Sequence, residues 1–82
     1  MKTHELKIWP SEFNAVKYDF KTAEFREEDR EFEIGDDLLL QEYEPDKQEY
    51  TGRTVLVGIT HIVPGGNFGI PEGYCMLSIK RV

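Results

Sequence analysis

Cys75 is the only cysteine in 82 residues, so no disulfide can close within the chain. That scarcity fits a reducing compartment, and a cytoplasmic protein is expected. His4 and His61 are the only two histidines. They lie far apart and, with one cysteine, give no metal-ligand spacing. Neither a metal nor a cofactor is expected. No apolar run approaches the ~20 residues that span a bilayer. The opening MKTHELKIWP lacks the apolar run and small-residue cleavage site of a secretory signal. No membrane association is expected. Positive charge is also short: 10 Lys and Arg stand against 16 Asp and Glu, a net charge of −6. This argues against strong sequence-independent binding of nucleic acid, which relies on neutralising phosphates. A local basic pocket is still compatible, because the field depends on how charge is distributed.

What is present is globular in character. Hydrophobic residues make up 39% of the chain and charged residues 32%, outside the disordered range. At this length one domain, residues 1–82, is expected, with one small core.

The first segment alternates. In HELKIW, Leu6 and Ile8 point one way and Glu5 and Lys7 the other, which reads as a strand. Pro10 ends that ladder and suits the first turn of a helix. SEFNAVKY follows, with Ser11 as the expected N-cap and with Phe13 and Val16 on one face. A helix of about two turns cannot stand alone, so it must lie against the sheet. TAEFREE alternates again. Ala23 and Phe25 are expected to face the core, with Thr22, Glu24 and Arg26 opposite. EFEIGDD leads into a turn at Gly35–Asp36. LLLQEYE reads as a strand and Pro45–Gln48 as a hairpin loop. EYTGRTVLVGITHIV reads as a long return strand, with Gly58 marking a bend or bulge. PGGNFGIPEGY is a loop, without the ending or the context of a phosphate loop. YCMLSIKRV is the last strand, with Cys75, Leu77 and Ile79 on one face. The expected fold is mostly β (α+β), a small, mostly antiparallel, barrel-like sheet capped by one short helix near the N-terminus.

Four segments in order, HELKIWPSEFNAV, KTAEFREEDREFEIGD, EYEPDKQEYTGR and GYCMLSIK, together resemble the DUF3850 family, within the ASCH group of the PUA-like superfamily. The resemblance implies a PUA-like pseudo-barrel with a cleft beside its short helix, and a role in binding RNA. The ASCH signature runs roughly G-x-K-x-x-E-x-R. Lys21, Glu24 and Arg26 match its last three fixed positions. Asp19 stands where the glycine would, which calls the backbone of that turn into question, since glycine tolerates positive φ most readily. Some ASCH proteins resemble amidohydrolases acting on an acetylated cytidine, with a threonine nucleophile. That position here is Glu24, so the activity does not carry over.

The expected ligand site is therefore Lys21, Thr22, Glu24 and Arg26, with Trp9 at its rim; no catalytic residue is assigned. Glu24 can accept from the exocyclic amine of a base, and Arg26 can donate to a carbonyl or a phosphate. Lys21 adds a point charge, provided the chain there is not yet extended. Trp9, Tyr43, Tyr74 and Phe68 are the aromatic faces on which a base could stack, at ~1–3 kcal/mol per base. Arg30 and Arg53 read as solvated charges. The expected partner is a short single-stranded RNA or a nucleotide. Three alternatives stay open. Glu24 and Arg26 could form an ion pair that only holds the fold. Glu24 could act as a general base in an amidohydrolase. The acidic surface could meet a basic protein partner.

Overall fold

Alternating residues at the N-terminus build β1 (Thr3–Ile8), in which His4, Leu6 and Ile8 are buried and their neighbours exposed. The computed structural model, which describes residues 1–82, continues with α1 (Pro10–Lys17), β2 (Ala23–Glu27), β3 (Asp37–Glu44), β4 (Glu49–Pro64) and β5 (Tyr74–Arg81). The five strands form one sheet in the order β1-β3-β4-β5-β2. All pairs are antiparallel except β1 with β3. That parallel pair follows from the connection, since α1 and β2 intervene between its two strands. No helix is long and apolar enough to cross a membrane.

The sheet curls into a half-barrel, so its edge strands β1 and β2 come within a side chain's reach. Arg26 on β2 donates to the Lys7 carbonyl of β1 at 3.3 Å, and Arg30 donates to the Glu5 carbonyl at 3.4 Å. Side chains rather than a backbone ladder bridge this seam. Two irregularities help the sheet to bend. On β4, Thr51, Gly52 and Arg53 all lie opposite Glu42 of β3, and Gly52 takes φ +92° there. Thr60, two residues beyond Gly58, is the unpaired residue against β5. The inward set of β4 passes across it from Val57 and Ile59 to Ile62.

Leu6, Ile8, Leu38, Leu40, Val57, Ile59, Cys75, Leu77 and Ile79 line the concave face, and Phe13 and Val16 of α1 close it. Phe13 and Val16 are each only 1% exposed. They anchor the helix that the sequence predicts to lie on the sheet. Phe32 fills the far end against His4, with ring centroids 5.0 Å apart.

Two expectations are corrected. Trp9, not Ser11, occupies the N-cap, and no side chain caps the helix. Ser11 lies one residue inside and donates instead to Glu12 at 3.2 Å. Pro10 already removes one donor at the first helical position, which lessens the need for a cap. The face assignment of β2 is also reversed. Glu24 is 3% exposed, whereas Phe25 is 49% exposed. Phe25 stacks outside the barrel on Tyr74, with centroids 5.4 Å apart and planes 7° from parallel. Glu24 and Arg26 do share a face, but it is the inner one; Thr22 lies before the strand and is exposed.

Candidate functional site

Lys21 lies just before β2 begins, so strict strand alternation does not govern where it points. The turn that delivers it passes through Asp19 at φ +64°. Asp19 thus takes the left-handed conformation that glycine would supply. Asp is among the few other residue types that enter this region with some frequency. Its carboxylate is held by Arg81 of β5, whose Nε and Nη2 each donate at 2.9 Å. This contact holds Arg81 above its ordinary pKa, chiefly through the hydrogen bond to Asp19.

From this turn Lys21 Nζ reaches Glu24 Oε1 at 2.8 Å and Glu12 Oε1 of α1 at 3.1 Å. Burial acts to lower the Lys21 pKa, but the two carboxylates together outweigh it and raise the net value. Glu12 is lowered in turn, first by its hydrogen bond from Lys21. Arg26 Nη1 stands 3.6 Å from Glu24 Oε2. Glu24 is therefore a buried acid between two half-buried bases. Lys21 is the cation at Oε1, and although its approach is off the ideal hydrogen-bond direction, the contact is one of those that raise the Lys21 pKa.

Of the five residues singled out in the sequence, Lys21, Glu24 and Arg26 come together as one ion cluster. Lys21 and Thr22 also border a concavity of about 70 Å³, shared with Val16, Asp19, Val57, Ile79, Lys80 and Arg81. Glu24, Arg26 and Trp9 do not line it. Trp9 sits at the junction of β1 and α1, 59% exposed. Phe68 is 94% exposed on its loop. Tyr43 is engaged by Tyr50, edge to face at 5.1 Å, and by the Lys7 ammonium at 4.0 Å. The concavity is well below the ~300–1,000 Å³ of sites that engulf a small molecule. A ligand here would lie across the surface.

Two further polar groups face inward and were not anticipated. Glu42 is 3% exposed. It accepts from Thr51 Oγ1 at 2.7 Å and lies 3.6 Å from Arg53 Nη1. The three-against-one register at Gly52 aims Thr51 and Arg53 at the same carboxylate. Arg53 also donates to Asn14 of α1 at 3.2 Å and lies over the Phe13 ring at 4.6 Å. It is a strut between sheet and helix rather than a free charge. Arg30 is likewise engaged, by Asp29 at 3.1 Å as well as by the Glu5 carbonyl.

The other group is Asp36, 1% exposed. It accepts from the Lys2 and Glu33 amides at 3.0 and 3.1 Å, and its Oδ2 lies 2.8 Å from His4 Nε2. These donors, His4 first, hold its pKa at about 2. The pair ties β1 to the turn before β3, and no nucleophilic side chain hydrogen-bonds to it. Nothing in the sequence pattern marks either cluster, because each depends on partners brought together from distant segments. No three His, Cys, Asp or Glu side chains gather as a metal centre would require. Cys75 is buried, which raises its thiol pKa.

The architecture is thus a curled β half-barrel with a short helix and a buried carboxylate cluster at its seam. The chain belongs to the family described as a domain of unknown function, DUF3850, whose model matches residues 3–79. It is also similar to an uncharacterized 12.9 kDa protein in the GpA 3′ region of Escherichia phage P2. The two are 41% identical over 61 residues, covering 74% of this chain and 54% of that protein. The match thus spans about half the length of the phage relative.

Proposed function

We propose that this half-barrel is a PUA-like module of the ASCH group that binds a nucleotide or a short single-stranded RNA at the seam beside α1. The observation that carries the reading is Glu24: a buried carboxylate held by the long side chains of Lys21 and Arg26, each partly exposed, on a face otherwise mostly apolar. A carboxylate held by two long, partly exposed side chains can exchange one of them for an amine from outside. The exocyclic amine of a base supplies such a donor. Because Lys21 covers Oε1, the incoming amine must displace it, and Lys21 then stays on Glu12 or turns to a phosphate. Arg26, 27% exposed in its side chain, faces the same carboxylate and can donate to a base carbonyl. The exposed Trp9 ring, at the junction of β1 and α1, offers a stacking face.

The net charge of −6 limits the affinity and makes it sensitive to salt. Each phosphate contacted should contribute about −0.7 to the slope of log K against log salt for a single strand. The test is a titration of nucleosides, nucleotides and short oligonucleotides at low salt, followed by backbone amide shifts, with wild type, Glu24→Met and Arg26→Ala compared. Saturable shifts over residues 21–26 that vanish in Glu24→Met support the reading. Shifts confined to the chain ends, or unchanged in both variants, refute it.

A further inference from the structure

The concavity between the end of α1 and the C-terminal half of β5 has a lining chemistry of its own. Its floor is apolar, from Val16, Val57 and Ile79, and its rim carries Lys21, Lys80, Arg81, Thr22 and Asp19. In a chain of net charge −6, the lining itself holds three cations to one carboxylate; Lys21 is also paired with Glu12 and Glu24 outside it, and Lys80 is the cation with no carboxylate partner.

The donor inventory sharpens this. A guanidinium has five N–H donors. Arg81 spends two on Asp19 and keeps three. Lys80 pairs with no carboxylate. Lys21 faces two carboxylate oxygens with three ammonium hydrogens. Both oxygens of Asp19, the only acidic lining residue, already accept from Arg81. The rim therefore offers unspent donors and an acidic group already satisfied, which suits an anion and not a cation. The volume of about 70 Å³ is well below that of pockets that engulf a whole small molecule. It suits a compact oxyanion rather than a base or a sugar.

The geometry points to a phosphate-binding subsite at Lys21, Thr22, Lys80 and Arg81, separate from Glu24 and joined to it through Lys21. This deepens the nucleotide reading and rests on it only for the identity of the molecule that carries the phosphate. The group bound is a phosphate, whether from a mononucleotide or from an RNA backbone. Asp19 acts as a positioning residue that keeps Arg81 over the rim.

The experiment titrates the protein with inorganic phosphate against sodium chloride at matched ionic strength, following the amides of Thr22, Lys80 and Arg81. Lys80→Ala and Lys80→Glu change an exposed side chain and should leave the fold intact. Saturable shifts with phosphate alone are expected, weakened about fivefold in Lys80→Ala and lost in Lys80→Glu. Shifts that follow ionic strength whatever the anion, or that persist in Lys80→Glu, overturn the subsite. A further arm compares a nucleoside, its 5′-monophosphate and a short oligonucleotide. Tighter binding of either phosphorylated ligand than of the nucleoside, with the excess lost in Lys80→Glu, supports the subsite and shows which source it accepts. Equal binding of the nucleoside and both phosphorylated ligands overturns the subsite while leaving the Glu24 reading intact. Inorganic phosphate bound as tightly as any nucleotide supports the subsite and removes the nucleotide reading.

Discussion

Replacing Glu24 with methionine separates a site from a structural ion pair. At an effective dielectric of ~20, Lys21 at 2.8 Å and Arg26 at 3.6 Å attract the carboxylate by about 6 and 5 kcal/mol before solvation is counted. Burying the carboxylate costs several kcal/mol against that, and partial burial of the two bases adds to the cost. Methionine has a similar length and no charge to desolvate. Neither base is left without a partner when the acid goes. Lys21 keeps Glu12 at 3.1 Å, Arg26 keeps the Lys7 carbonyl at 3.3 Å, and both side chains are 27% exposed and can turn to water. Glu24→Met should therefore lie within about 1 kcal/mol of wild type, or be more stable. For a domain of this size that is a change in Tm of less than about 8 °C. The converse change is asymmetric. Lys21→Met strands a buried carboxylate with one distant partner and should cost about 3 kcal/mol. Adding Glu24→Met to it should restore most of the loss. Urea melts of the two single variants and the double variant measure all three terms, and the cycle gives the coupling. If Glu24→Met alone lost more than about 3 kcal/mol, the cluster would be holding the fold together, and the reasoning that assigns it to a ligand would fail.

Phe13→Ala should destabilise by about 3–5 kcal/mol, a large share of the ~4–12 kcal/mol available to a domain this size, and should free α1 first, read as lost amide protection over residues 13–17. Asp19→Gly should be more stable than Asp19→Ala by about 1 kcal/mol in thermal melts, since both lose Arg81 and only alanine retains the cost of φ +64°. The folded pKa of Asp36, about 2, lies below its ordinary 3.8. Its contribution to stability is thus complete above about pH 4 and is lost as pH falls towards 2, so acid melts of Asp36→Asn should converge on those of wild type over that interval. Cys75, fully buried with its thiol pKa raised, should react with a thiol reagent only on unfolding, and fast reaction in the native state would contradict its placement.

Much of the fold is legible in the chain. The alternation in β1 and β5 gives the apolar buried row on each of these strands, because a strand with one apolar face has a single sensible orientation. The span of α1 follows from Pro10 and the Phe13–Val16 spacing. β2 is different. Glu24 and Phe25 are both large, and neither parity of AEFRE leaves a wholly apolar face. The sign was settled by Tyr74, which receives Phe25 outside, and by Lys21 and Arg26, which receive Glu24 inside. The N-cap was misplaced by two residues for a local reason: Trp9 can take the extended conformation, at φ −76° and ψ 156°, without supplying a cap bond.

The site divides in the same way. That Lys21, Glu24 and Arg26 meet as an ion cluster could be read from their spacing and from the family resemblance. The depth of Glu24, the struts through Glu42–Arg53 and His4–Asp36, and the basic rim that joins Lys21 to Lys80 and Arg81 could not. Local periodicity fixes which side chains share a strand face, since backbone geometry sets it residue by residue. Which face becomes the inside, and which charges then meet, depends on curling five strands until β1 and β2 nearly touch. Those contacts join residues up to 62 positions apart, and no pattern along the chain encodes them.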